Sequence, residues 1–132
     1  MAEYRFSIRS DVERNVMYIS QHGRPSAAGF LDLKRAFLSE VTKLRPGLTI
    51  VNDQREMESI DDEAMEMAKD VVATTSEHGV SRVIRIVPAD FLSVVQISTS
   101  LVEGKSRYPS IQVASPEEAE EALDTFLDDR HR

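Results

Sequence analysis

Residues 48–72 read LTIVNDQREMESIDDEAMEMAKDVV, and the order of residue types in this stretch decides the fold. Leu48-Thr49-Ile50-Val51 is a short, continuous run rich in apolar and β-branched side chains, the mark of a buried strand, and it ends in Asn52-Asp53. A polar connection follows. Ile60, Ala64, Met67, Ala68, Val71 and Val72 then recur at spacings of three and four, which places them on one face of a helix closed by His78-Gly79. A buried strand that feeds an amphipathic helix is the repeating unit of a parallel sheet covered by helices.

The same alternation extends in both directions. Upstream, Tyr4, Phe6 and Ile8 alternate with Arg5, Ser7 and Arg9, and Val16-Met17-Tyr18-Ile19 forms a second strand. Residues 11–15 read as the loop of a hairpin between them. His22-Gly23-Arg24-Pro25 suggests a turn, Ser26 a helix cap, and Phe30, Leu33, Phe37, Val41 and Leu44 one helical face, stopped by Pro46-Gly47.

Downstream, residues 82–87 read as a strand stopped by Pro88, and Asp90 caps a helix over residues 91–102. Residues 110–113 form a short strand. Ser115-Pro116-Glu117-Glu118 combines a capping serine, proline at the first helical position and a glutamate placed for a capping box. The last helix buries Ala119, Ala122, Leu123 and Phe126, with fraying expected from Asp128 onward. The reading is therefore one α/β domain over residues 1–132, with an ordered core of about residues 3–128. Its sheet is mixed, of about five strands with about four helices, in the order β-β-α-β-α-β-α-β-α.

Charge and composition narrow the function. Of 132 residues, 41% are hydrophobic and 30% charged, an ordinary globular balance, and the formal net charge is -7. The excess sits in two places: residues 53–70 hold eight acids against two bases, and residues 116–132 seven against two. That balance argues against nucleic acid and against anionic membrane surfaces as partners. Nowhere do about 18 apolar residues run together, and no signal core opens the chain, so a cytoplasmic protein without stable membrane insertion is expected. With no cysteine there is no thiol chemistry and no thiolate metal site.

Catalytic motifs fail one by one. Gly104-Lys105-Ser106 resembles the end of a phosphate loop, but Thr99 stands where that loop needs glycine. Asp53, read at the carboxyl end of a parallel strand, occupies the place of a receiver's phospho-acceptor aspartate, yet the acidic pair and the lysine that such a site needs are missing. His22, His78 and His131 are scattered, and no Gly-x-Ser-x-Gly elbow occurs. No enzyme, cofactor or metal is expected.

The element order, with Ile60-Asp61-Asp62-Glu63-Ala64-Met65 at the start of its second helix, resembles the STAS domain (sulfate transporter and anti-sigma factor antagonist), above all its SpoIIAA-like branch. Antagonists of that family carry a pattern like Ile-Asp-Ser-Ser-Gly-Leu at this point, and the acidic run Pro116 to Leu123 is similar to their final helix. The resemblance implies a non-enzymatic signalling module that binds a protein partner and is switched by phosphorylation of the first serine. Here Asp62 stands at that serine, so the implied surface, Asp61, Asp62 and Glu63, holds fixed charge and has lost the phospho-switch. The plainer reading is that these acids stabilise a helix start. Ser59 is a candidate displaced phosphosite, or, as Ser59-x-x-Asp62, the helix cap. The resemblance also implies a second class of function, a carrier or sensor of a small hydrophobic ligand or lipid in a cleft between sheet and helices. The uncharged residues 91–102 would pack against the sheet, a second copy in a homodimer, such a ligand, or a membrane surface in peripheral association.

Overall fold

The computed structural model describes residues 3–87 and 108–130. Strands β1 (Arg5–Asp11) and β2 (Val16–Gly23) form the expected antiparallel hairpin. Asn15 closes it at φ 60, a conformation asparagine tolerates better than most residues. The buried Asn15 side chain also accepts from Arg45 N (2.8 Å) and donates to Arg45 O (3.1 Å), which ties the hairpin to the loop before the third strand.

Helix α1 (Ala27–Glu40) starts where Ser26 Oγ accepts from Gly29 N at 2.9 Å, and it buries Phe30, Leu33 and Phe37. It is shorter than its apolar spacing suggested, because Val41–Lys43 tightens into a 3-10 turn. Then come β3 (Leu48–Met57), α2 (Asp62–Glu77), β4 (Val80–Ile86), β5 (Ser110–Val113) and α3 (Pro116–Arg130). Gly79, at φ 83, lets the chain leave α2 and enter β4 at once; an added Cβ would meet Pro46 Cα at 3.1 Å. The expected helix over residues 91–102, and Gly104-Lys105-Ser106, lie outside the described residues.

The five strands lie side by side in the order β1-β2-β3-β4-β5, with β2 through β5 parallel. Side chains alternate between two covered faces. On one, α1 and α2 pack over Met17, Ile19, Leu48, Ile50 and Val83; on the other, α3 packs over Val16, Val51, Ile84 and Ile86.

Other boundaries also differ from the sequence expectation, among them the start of β4 at Val80, two residues earlier than expected. Strand β3 does not stop at Asn52-Asp53: after a register shift between Ser20 and His22 it stays paired with β2 as far as Gly23↔Met57. For the same reason His22-Gly23 belongs to a strand and not to a free turn. Finally, α3 continues to Arg130, past the position at which fraying was expected.

Candidate functional site

The connection from β3 to α2 sets out the acidic surface. Asp61 has extended backbone (φ -80, ψ 172), and its Oδ1 accepts from Ala64 N at 2.8 Å, so it is the N-cap of α2. Ile60 and Ala64, on either side of it, are buried. Asp62 and Glu63 occupy the exposed first turn, where unpaired N–H groups favour negative charge. Ser59 is exposed and two residues before the cap; the capping role that its spacing suggested belongs to Asp61.

Asp53 is not part of this surface. It lies within β3, not at its carboxyl end, and faces the α3 side, where it lines a groove with Ser20, Ile86 and Pro116. Arg55, two residues along the same strand, donates to both its oxygens, through Nε at 3.0 Å and Nη2 at 2.8 Å. Partial burial pushes the Asp53 carboxyl up, but these bonds and the Arg55 backbone N–H outweigh it and hold the group below the usual carboxylate range. An aspartate already neutralised in this way is a structural ion pair.

The histidines stay apart. His22 bonds Ser20 at 2.9 Å, while His78 Nδ1 donates to Thr74 O at 2.8 Å and meets the Phe37 ring edge-on. Among the described residues no group of three or more histidine or acidic side chains could hold a metal ion. No helix among them is long and apolar enough to cross a membrane.

What sequence reasoning missed in the cleft between the sheet and α1–α2 is its polar floor. A cavity of about 90 Å³ opens there against an apolar wall of Ile19, Phe30, Leu33, Phe37, Ile50 and Val83. Its floor is polar and crosses three strands: Gln21 from β2, Asn52 and Gln54 from β3, and Arg85 from β4. Tyr4 O–H donates to Gln21 Oε1 (2.7 Å), and Gln21 Nε2 donates to Asn52 Oδ1 (3.0 Å). Asn52 is the register partner of Arg85. Burial pushes the Tyr4 phenol well above its ordinary value.

Arg85 is 4% exposed. Its Nε donates to Ser110 Oγ on β5 at 2.9 Å, whereas Nη1 is buried with no hydrogen-bond partner among the described residues. Burial pushes the guanidinium down to about 10, partly countered by Tyr108, so it remains charged at neutral pH. Thr75 and Tyr108 bond each other at 2.9 Å on the same cavity wall. The signal that could have exposed this floor was period two: Asn52 and Gln54 continue the face of Ile50, and Arg85 that of Val83.

Comparison with known proteins gives the fold. The chain has a SpoIIAA-like fold. It is similar to an uncharacterized protein of Shewanella loihica described as having that fold, with a TM-score of 0.71 and 10% identity over 93% of this chain and 97% of the other. It is also similar to an anti-sigma factor antagonist from Mycobacterium paratuberculosis, with a TM-score of 0.60 and 11% identity over 92% and 95%. No protein-family model and no curated protein sequence matches it.

Proposed function

We propose that the chain is a non-enzymatic regulatory module of the cytoplasm that contacts a protein partner through the first turn of α2. What carries this reading is the exposure of Asp62 and Glu63 beside a cap already supplied by Asp61. The two outer acids are not needed to start the helix and are free to face a partner. Charge at this turn is permanent, so binding that depends on it does not respond to a serine kinase. The antagonist of the same fold supports a protein as the kind of partner.

The test is a pull-down from native cytoplasm with the wild type and with the double variant Asp62→Ser, Glu63→Ser. Partners specific to the wild type are expected to be lost, while removing two acids from the first turn costs about 1 kcal/mol and leaves the fold intact. If every detected interaction survives the double substitution, the surface reading is wrong.

The cavity favours a second reading, that the sheet and α1–α2 hold a small ligand. Native mass spectrometry after gentle purification tests it: a co-purifying small molecule supports the reading, and a clean apo protein argues against it.

A further inference from the structure

An apolar ligand alone would leave the cavity floor unanswered. Burying a guanidinium costs several kcal/mol unless a counter-charge and hydrogen bonds compensate. Among the described residues Arg85 has neither in full: its register neighbours Asn52 and Gln112 are neutral, no lining residue is acidic, and Nη1 has no partner. Gln54, 7% exposed on the same floor, likewise has its Oε1 buried without a partner there. A half-turn of that amide presents its NH2 group instead. The bonds from Tyr4 to Gln21 and from Gln21 to Asn52 run in one direction, so Asn52 is left with its NH2 as the remaining donor beside Arg85. Several donors, one of them a cation, thus line a space with an apolar opposite wall.

We propose that this cavity binds a small monocarboxylate, its oxygens taken by Arg85 Nη1 and the floor amides and its short apolar body set against Phe37, Ile50 and Val83. The inference rests on the small-ligand reading above and narrows it to one chemical class. One guanidinium balances one negative charge, which favours a carboxylate over a phosphate dianion. Size limits the rest. The cavity, at about 90 Å³, is smaller than the roughly 150 Å³ that accepts a benzene ring. It has room for a body of about three carbons and not for the length of an acyl chain.

Butyrate is the probe, with butyramide as its uncharged counterpart, decanoate as the long-chain acid and inorganic phosphate as the dianion. Binding to the full chain is read by calorimetry and by the Arg85 Nε–H signal in 15N NMR. Butyrate is expected to shift that signal and to bind at least tenfold tighter than butyramide or phosphate, with decanoate no tighter than butyrate. Arg85→Met should weaken butyrate at least tenfold, to the level of butyramide, and Arg85→Lys should retain part of the difference. Equal binding of butyrate and butyramide by the wild type, or butyrate binding unchanged in Arg85→Met, overturns the carboxylate assignment while the small-ligand reading stands. Tighter binding of decanoate overturns the size limit, and tighter binding of phosphate the choice of head group. If none of the four binds, the carboxylate proposal fails, and the small-ligand reading fails with it only where native mass spectrometry also finds a clean apo protein. The wild-type NMR shift decides the matter even if Arg85→Met does not fold.

Discussion

Arg85 sets the energetics of the cavity face. A buried charge without a full set of partners destabilises the fold that holds it, and replacing it by an apolar side chain of similar length removes that cost. Arg85→Met is therefore expected to raise the ligand-free stability by about 1–3 kcal/mol in urea unfolding. The same change should cost binding, as is usual where a site is held at the expense of stability. Tyr4→Phe has the opposite sign. It leaves the buried Gln21 Oε1 without its donor and should lower stability by about 1–2 kcal/mol. Asp53 supplies the pH dependence. Its folded pKa lies below its unfolded one, so its contribution is present above about pH 4 and is lost as pH falls through the folded value. With Arg55 41% exposed the effect is small, about 0.5 kcal/mol or less; Asp53→Asn should flatten the acid limb of the stability curve by that amount. At this scale Arg85 was hard to read in the sequence, because an arginine in a strand is normally taken to reach solvent. Strand β4 has no solvent face: Ile84 and Ile86 meet α3, which sends Arg85 to the α1–α2 side with Val83. Arg82, three residues away on the α3 side, shows the alternative, its guanidinium stacked 4.1 Å from the Phe126 ring centroid.

Element boundaries were legible where the signal is local and lost where it is not. Ser115 Oγ accepts from Glu118 N (3.2 Å), and the Glu118 carboxylate reaches back to Ala114 N (2.7 Å), so the expected capping box is present with its return bond one residue earlier. Ser26 caps α1 through its Oγ alone, which accepts from Gly29 N, and in both helices a few adjacent residues hold the information needed. Ser115→Ala should cost about 1 kcal/mol, read as a lower urea midpoint, and Ser115→Asn close to nothing. The α2 cap separates stability from recognition. Asp61→Ala should cost about 1 kcal/mol, whereas Asp61→Asn keeps the cap and removes its charge. A partner that needs the acidic turn should respond to Asp61→Asn at unchanged stability. The far end of β3 had no such local signal. Residues 53–56, Asp-Gln-Arg-Glu, are turn-like in composition, and only pairing with β2 across the register shift makes them a strand. The polar floor of the cavity went unseen for that reason, since Gln54 belongs to the part of β3 that composition assigned to a loop.

At the scale of the whole molecule, one sheet separates two cores that share its strands. Neighbouring residues such as Ile50 and Val51 serve opposite faces, so a loss on either side should be felt by the sheet as a unit. Helix α3 is joined to the hairpin across more than a hundred residues of chain: Glu120 accepts from Arg14 Nη2 (3.1 Å) and from Tyr18 O–H (2.9 Å). Its anchor is Leu123, fully buried against the face that carries Val51 and Ile84. Leu123→Ala should cost about 2–5 kcal/mol, a large share of the roughly 5–15 kcal/mol that stabilises a domain of this size. If the chain unfolds as the single domain its element order suggests, the urea midpoint falls while the slope of the transition stays the same, and circular dichroism and tyrosine fluorescence report one curve. The α1–α2 cavity lies on the opposite face, and butyrate affinity measured well below the transition should not change. Two separated transitions, or a butyrate affinity that falls with Leu123→Ala under native conditions, would show that α3 is a separate folding unit or that the two faces are coupled through the sheet.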